Sequence, residues 1–354
     1  MATDNELLLA GATAVVAGVV SHVVIAQVLQ RASARLSDVP NERSSHRIPT
    51  PRGGGLGIAA AGLLGWAIWA GVPGAPARWG WVGVSAAAIA AIGFADDLVS
   101  LSAKKRLLMQ LGCSLFAVLC LGHFESVALP GAQLRLGVAG SVLTMIWIAG
   151  LTNAFNFMDG IDGIAGTQGF VAALGCGAYG WLSGQPWVVG LCAALVGASI
   201  AFLRLNWQPA RIFMGDVGST FFGYALAVLP LALGAGAAHA ERLPAFALLL
   251  VWPFVFDAGF TFLRRALRGE NVLAAHRSHI YQRLVISGLR HSSVSLLYGM
   301  LATLCTLAAV LLGVHGSWGA ACVMFLAVPT GLLGVVTRRE RVTRAASAQI
   351  TRTP

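Results

Sequence analysis

Charged residues are scarce in this chain of 354 residues. Asp, Glu, Lys and Arg together make up 11% of the sequence, while hydrophobic residues make up 57%. A soluble domain carries about 25% charged residues, so this chain has too few charges to cover a surface exposed to water. The composition excludes a soluble globular enzyme and a disordered chain, and it predicts an all-α, polytopic transmembrane helical bundle.

Cysteine ligand patterns and a cleavable leader are also missing. The six cysteines are scattered through apolar stretches, with no CxxC pair and no Cys/His spacing that suits zinc. We therefore expect neither disulfides nor structural zinc. The first apolar segment has no basic start and no cleavage site, which indicates a helix that stays in the protein.

Continuous apolar stretches are what the sequence has instead. A helix needs roughly 17–25 apolar residues to cross a bilayer, and the stretches do not alternate as in a β-barrel. We find no internal repeat and predict one integral membrane domain over residues 1–354, with a basic cytoplasmic tail at 337–354. The eleven predicted spans are 6–29, 55–72, 80–95, 107–122, 138–155, 163–183, 187–204, 218–236, 244–263, 293–313 and 318–336.

The basic residues fall on one side of this arrangement. With the N-terminus placed in the periplasm, 21 of the 24 Lys and Arg residues lie on the inner side, and only Arg78, Arg135 and Arg242 lie outside. Inner loops of membrane proteins are enriched in Lys and Arg. The asymmetry predicts a periplasmic N-terminus and a cytoplasmic C-terminus, and it explains the net charge of +10 without a nucleic-acid partner.

Acidic residues are concentrated on the same side. Ten of the fourteen lie there, and an acid near membrane depth is a functional-site hypothesis by default. A structural ion pair or a helix cap is the alternative for any single one. Five of six aspartates cluster in three inner loops beside glycine-rich turns, which favours a site. The six are Asp96, Asp97, Asp159, Asp162, Asp216 and Asp257.

The first cluster pairs Asp96 with Asp97 at the end of a span, ahead of Lys104, Lys105 and Arg106. Adjacent carboxylates repel unless a cation lies near them. The basic triplet, which holds the only two lysines of the chain, indicates a combined metal and phosphate site.

The next two clusters are NAFNFMDGIDG at 153–163 and RIFMGDVGST at 211–220. Asp159 and Asp162 are three residues apart, so they share a face in a helical turn, although Asp162 could also be a helix cap. Asp216 lies between glycines and fits either a helix cap or a metal ligand beside a base stacked on Phe213.

A fourth inner segment, HRSHIYQR at 276–283, combines two His, two Arg and two hydroxyl side chains. This composition indicates anion binding, and zinc is the weaker alternative because no further ligand lies at a suitable spacing. The basic loop at 41–55 could cradle phosphate at a helix start. On its own it fits an ordinary inner loop, and it lacks the P-loop signature.

Four strings in this order resemble one known family. FADD, NAFNFMDGIDGIAG, FMGDVGST and HRSHIYQRL are similar to the motifs of the polyprenyl-phosphate N-acetylhexosamine-1-phosphate transferase superfamily. That superfamily includes the phospho-MurNAc-pentapeptide translocase and the enzymes that initiate O-antigen. The resemblance extends from about Asn41 to Arg283.

The resemblance implies a multi-pass enzyme of the bacterial inner membrane with its active site on the cytoplasmic face. Such an enzyme transfers a sugar-1-phosphate from a UDP-sugar to undecaprenyl phosphate and releases UMP, with Mg²⁺ as cofactor and Mn²⁺ as an alternative. A homodimer is a further expectation.

The resemblance also assigns roles to residues, by motif. Asp96 and Asp97 match the paired catalytic acids, and it does not tell which of them is the general base. The metal positions are Asp216 and Asn156, the nucleotide positions are Phe213, Asp162 and Asp159, and the phosphate or sugar positions are Arg106, His276, Arg277 and His279.

The last motif departs from that of the translocase. It reads His276-Arg277-Ser278-His279, which resembles the branch that starts O-antigen or capsular glycans and often uses FucNAc or QuiNAc. We therefore expect one of these sugars before GlcNAc, and a pentapeptide-bearing substrate is disfavoured.

Two other classes of membrane protein are alternatives. An ion-coupled transporter would carry its acids near mid-membrane on broken helices within inverted repeats, whereas these acids lie at loop ends. Prenyltransferases and CDP-alcohol phosphotransferases use differently spaced acids, and neither Asp159-Gly160 nor Asp162-Gly163 is followed by Ala-Arg.

Overall fold

The computed structural model describes residues 4–31, 37–38, 49–272, 274 and 276–350. This part of the chain is almost entirely helical, as the composition predicts. Its helices are α1 Asp4–Arg31, α2 Gly55–Trp69, α3 Trp79–Val99, α4 Ala103–Leu121, α5 Val138–Met158, α6 Ile164–Leu182, α7 Pro186–Asn206, α8 Gly215–Leu233, α9 Leu243–Leu250, α10 Trp252–Leu267, α11 Ile280–Ile286, α12 His291–His315 and α13 Trp318–Ile350.

Two short antiparallel strand pairs accompany the helices. Strand β1 (Ser37–Asp38) pairs with β2 (Thr50–Pro51), just before α2. Strand β3 (Ser126–Leu129) pairs with β4 (Ala132–Arg135) in a hairpin between α4 and α5.

Helix α8 forms the centre of the bundle. Every residue from Val217 to Leu233 is buried, as expected for a helix that is apolar on all sides and packed on all sides. Helices α3 and α5 pack along it, and α2 crosses it near its start. At that crossing a Cβ on Gly55 would lie 2.3 Å from the Cα of Gly218, so glycine lets the two backbones touch.

Fewer helices meet the length and composition that a membrane span needs than the eleven spans predicted from the sequence. Among the residues that the structure describes, seven helices are long and apolar enough to cross a membrane, or eight if the bent pair of α9 and α10 is counted as one span. All eleven predicted stretches coincide with helices, among them α2 with 15 residues. The structure supports an integral membrane protein, while the count of eleven and the orientation stay predictions.

The stretch predicted as one span over 244–263 is divided in the structure. Helix α9 ends at Leu250, α10 begins at Trp252, and the two axes differ by 73°. Pro253 lies in the first turn of α10, where a missing N–H is tolerated, whereas it would disrupt a continuous helix. Asp257 lies in α10 after this bend and is fully buried.

The ends of the helices divide into two groups. Asp97 at the end of α3 and Asn156 at the end of α5 contact the start of α8. At the other end, Arg78 before α3 donates to Leu119 O near the end of α4. Helices α3 and α4 therefore run in opposite directions, α3 and α5 both end where α8 begins, and these acids gather at one end.

Candidate functional site

The start of α8 is fixed by Asp97. Its Oδ1 accepts a hydrogen bond from Asp216 N at 3.0 Å, and its Oδ2 accepts one from Val217 N at 3.2 Å. These amides belong to the first turn of the helix, where an acid satisfies unpaired donors and the positive helix end. Gly215 has φ +74°, and a Cβ there would lie 2.7 Å from Asp97 Oδ2, so glycine is needed for this contact.

Asp216 follows directly and is turned into the site. Its Oδ1 accepts from Asn156 Nδ2 at 2.8 Å, and the same amide group donates to Ser219 Oγ at 3.2 Å. The side chain of Asp216 keeps 28% of its surface exposed. An approaching ligand can therefore reach this carboxylate.

Arg106 lies between two acids. Its Nη1 forms an ion pair with Asp96 Oδ2 and lies 3.4 Å from Asp216 Oδ2. Asp96 also accepts from Leu101 N at 2.6 Å through its other oxygen. Because the Asp96 side chain is only 5% exposed, the guanidinium offsets a carboxylate that has little access to water.

The residues around Arg106 fit a hard divalent cation. Asp96 and Asp216 already converge on one positively charged group, and carboxylate oxygens are the ligands that Mg²⁺ prefers. Within the described ranges no group of three or more His, Cys, Asp or Glu side chains could hold a metal ion by itself. A Mg²⁺ ion here would take its other ligands from water and substrate phosphates, as it commonly does.

None of the described residues donates a hydrogen bond to the carboxylate of Asp159. It caps the end of α5. Desolvation at this half-buried position and the nearby Asp97 raise the pKa of Asp159 to about 7, although Arg52 opposes the shift. The side chain can therefore exchange a proton near neutral pH or accept a donor from a ligand.

Asp162 is held by partners from two other parts of the chain. It is buried, its Oδ1 lies 3.2 Å from His291 Nδ1, and its Oδ2 accepts from Ala210 N at 3.1 Å. The side chain thus joins the start of α6 to the loop after α7 and to the start of α12. In the structure Asp162 holds these three segments together, and its contact with uracil stays a prediction.

Phe213 lies in the loop that leads into α8. Its N–H donates to Pro51 O at 2.8 Å, and its carbonyl accepts from Gly54 N at 2.9 Å. The backbone of Phe213 is thereby tied to the end of the loop predicted to bind phosphate. Of that loop, residues 41–48 lie outside the described residues.

The histidine segment meets the same end of the bundle at α5. His276 and His279 have ring centroids 4.9 Å apart, and the His279 ring lies 6.4 Å from that of Phe157. Phe157 follows Asn156 directly, so the segment borders the carboxylate group. Arg277 is half-buried between the two histidines.

His276 is neutral at physiological pH. Desolvation, reinforced by His279 and Arg265, lowers the pKa of His276 to about 4. Ser278 N donates to His276 Nδ1 at 3.3 Å, which leaves the ring hydrogen on Nε2. His276 can therefore offer a hydrogen bond to a ligand oxygen, but no positive charge.

The structure brings most of the sequence-predicted residues to one place. Asp96, Asp97, Arg106, Asn156 and Asp216 are in direct contact. Asp159 is close enough to Asp97 for their charges to interact, and His279 borders Phe157 beside Asn156. Two residues had no predicted role. Ser219 belongs to the FMGDVGST string, and Asp257 was visible only as an acid in an apolar stretch.

Known proteins are similar to this chain along most of its length. The model for glycosyl transferase family 4 matches residues 79–234. The chain is 29% identical over 332 residues to the "Probable undecaprenyl-phosphate N-acetylglucosaminyl 1-phosphate transferase" of Bacillus subtilis (strain 168). The aligned region covers 92% of this chain and 91% of that protein.

A second group of relatives matches over a shorter range. The chain is 35% identical over 153 residues to the phospho-N-acetylmuramoyl-pentapeptide-transferases of Streptococcus pyogenes serotypes M6 and M5. This match covers 40% of the chain and 46% of each relative, so it spans less than half the length of those proteins.

Proposed function

Because the chain belongs to the polyprenyl-phosphate hexosamine-1-phosphate transferase superfamily, we propose that it transfers an N-acetylated aminosugar-1-phosphate from a UDP-sugar to undecaprenyl phosphate. An oxygen of the lipid phosphate attacks the β-phosphorus, which carries the sugar. The bond from that phosphorus to the bridging oxygen breaks, and UMP leaves with the bridging oxygen. The second product is undecaprenyl-diphospho-sugar.

The observation that carries the proposal is the convergence of Asp96 and Asp216 on Arg106 at the loop end of the bundle. Both substrates are anionic, so the site must first neutralise their repulsion. A bound Mg²⁺ ion, held by Asp216 and Asp96 with Asn156 beside them, would supply that neutralisation. Arg106 can exchange a carboxylate for a phosphate, since both are oxyanion partners of a guanidinium.

The acids and the residues around them have separate roles in this proposal. Asp97 fixes the start of α8 and so sets the direction of Asp216. We assign proton exchange to one of the paired acids Asp96 and Asp97, and Asp159, with a pKa of about 7, is a third group that can accept a proton near neutral pH. Phe213 and Asp159 border the nucleotide, and Asp162 shapes that part of the site through its loop. His276, Arg277 and His279 meet the diphosphate or the sugar.

Two observations favour different sugars. The His276-Arg277-Ser278-His279 string favours FucNAc or QuiNAc, and the product would then initiate O-antigen or another surface glycan. The name of the Bacillus subtilis relative favours GlcNAc. We place the protein in the bacterial inner membrane with the site on the cytoplasmic face, because UDP-sugars are cytoplasmic and the site loops are rich in Arg.

A donor panel tests the proposal. Purified protein in detergent is incubated with undecaprenyl phosphate and UDP-GlcNAc, UDP-FucNAc or UDP-QuiNAc, and UMP release is measured with Mg²⁺, with Mn²⁺ and with excess EDTA. We expect release with at least one donor and none in EDTA. Full activity in EDTA contradicts the metal site, and no release with any aminosugar favours the transporter alternative.

A further inference from the structure

A second acid is buried behind the histidine segment. Asp257 lies on α10 with no exposed surface. A carboxylate in such a place is costly unless hydrogen bonds and opposite charges compensate for the lost water. The partners of Asp257 therefore indicate why it is there.

Backbone and hydroxyl donors surround the carboxylate. Ile280 N donates to Oδ1 at 2.8 Å and Tyr281 N donates to Oδ2 at 3.0 Å, both from the first turn of α11. Tyr298 on α12 donates its hydroxyl to Oδ2 at 2.6 Å. Asp257 thus joins α10, α11 and α12.

The other partners are the hydroxyl of Thr261, which donates to Oδ1 at 3.2 Å, and the imidazole of His279. Its Nδ1 lies 3.3 Å from Asp257 Oδ1. An ionised carboxylate only accepts hydrogen bonds, so this contact places a hydrogen on Nδ1 and leaves Nε2 for another partner. Acids that orient a histidine in this way are common behind metal and catalytic sites.

The same anchor reaches the carboxylate group by a second route. Tyr281, whose N–H is held by Asp257, donates its hydroxyl to Phe157 O at 3.0 Å. Phe157 is next to Asn156, which holds Asp216. A displacement of Asp257 would therefore move both His279 and the end of α5.

We propose that Asp257 is a positioning residue, which holds His279 with Nδ1 as the donor so that Nε2 and the His276–His279 segment meet the substrate in one fixed orientation. Asp257 itself touches no substrate. A residue with only a structural role would cap α11 without acting through His279. The inference depends on the proposed function only for its rate measurements.

A double-mutant cycle separates the two roles. Asp257→Asn keeps the size of the side chain but loses one acceptor, and we expect kcat/KM for sugar-phosphate transfer to fall about 10- to 100-fold. If Asp257 acts through His279, the double variant with His279→Ala is no slower than His279→Ala alone, within about threefold. Losses that multiply would overturn the proposal.

Tyr298→Phe is the matched control. It removes one hydrogen bond from the same carboxylate and leaves His279 in contact with it. We expect a lower unfolding temperature with kcat/KM within a few-fold of wild type. If Tyr298→Phe slows the reaction as much as Asp257→Asn does, loss of structure explains both, and the proposal is wrong.

A spectroscopic measurement of the hydrogen position on the His279 ring tests the proposal without an activity assay. Protein labelled with ¹⁵N-histidine is studied in detergent by long-range ¹H–¹⁵N correlation, and the His279 signals are assigned by their loss in His279→Gln. We expect a hydrogen on Nδ1 in wild type. This measurement tests the proposal even if the Asp257→Asn variant does not accumulate. A neutral ring with its hydrogen on Nε2 would refute the positioning role. Absence of turnover in wild type would instead refute the proposed function.

Discussion

Asp97 and Asp216 are neighbours in the site but meet different partners. Asp97 accepts two backbone hydrogen bonds from α8, whereas Asp216 faces Asn156 and Arg106. At the scale of single residues, a carboxylate that fixes a helix start contributes to stability. A carboxylate held beside a second one contributes to ligand binding and costs stability.

Substitution of the two acids should separate these contributions. Asp97→Asn loses one of the two acceptors at the start of α8, so we expect about 0.5–2 kcal/mol lower stability together with lower activity. Asp216→Asn relieves repulsion with Asp96, so its unfolding temperature should match or exceed that of wild type while UMP release falls about 100-fold or more. Thermal unfolding and UMP release check this. A destabilised Asp216→Asn with near-normal turnover would remove Asp216 from the metal site.

Asp159 gives the protein a stability that depends on pH. Its pKa is about 7 in the folded protein, against about 3.9 in an unfolded chain. The folded state therefore holds more protons between these values, and stability falls as pH rises from 4 to 7, by at most about 1.4 kcal/mol per pH unit.

Thermal unfolding in EDTA from pH 5 to pH 8 measures this effect. We expect a decline in unfolding temperature for wild type and a smaller decline for Asp159→Asn. Glu125→Gln is the control, because Glu125 is exposed just before the β3–β4 hairpin, and it should keep the wild-type slope. Equal slopes for wild type and Asp159→Asn would show that Asp159 ionises normally.

At the scale of elements, the crossing of α2 and α8 holds the residues just before α2 against the site. Gly54 N and Gly55 N donate to the carbonyls of Phe213 and Met214 at 2.9 and 2.8 Å. These contacts need the backbones to approach within van der Waals distance. The helices can do so only because both carry glycine where they touch.

Gly55→Ala should separate these helices. Its Cβ would lie 2.3 Å from the Gly218 backbone, and no side-chain rotation relieves such a clash, so we expect a lower unfolding temperature and loss of UMP release. Gly150→Ala in α5 is the control, because a Cβ there meets nothing within 4 Å. It should be neutral or gain up to about 1 kcal/mol. Equal behaviour of the two variants would contradict the close crossing.

The sequence allowed the elements to be predicted better than their contacts. Long apolar stretches mark most helices, and the strings around Asp96, Asp159 and Asp216 mark the loops that meet. The break at Val251 was not predicted, because an apolar run does not reveal that its two halves pack in different directions. The pairing of Asp162 with His291 joins residues 129 positions apart, which no local pattern indicates.

At the scale of the whole molecule, the two ends of the bundle differ in chemistry. One end carries the acidic clusters and Arg106, and the other carries the β3–β4 hairpin between α4 and α5. Positive charge favours the cytoplasmic side, and the proposed donor is cytoplasmic. On these two arguments we propose that the site end lies inside the cell and the hairpin outside.

Cysteine labelling in intact cells tests this orientation. In a background without the six native cysteines, Lys104→Cys marks the site end and Gln133→Cys marks the hairpin, since both positions are exposed. A membrane-impermeant maleimide should label Gln133→Cys in intact cells, and Lys104→Cys only after the membrane is opened. The reverse pattern would put the acids outside, where no UDP-sugar reaches them. Labelling of both positions in intact cells would contradict the separation of the two ends by a membrane.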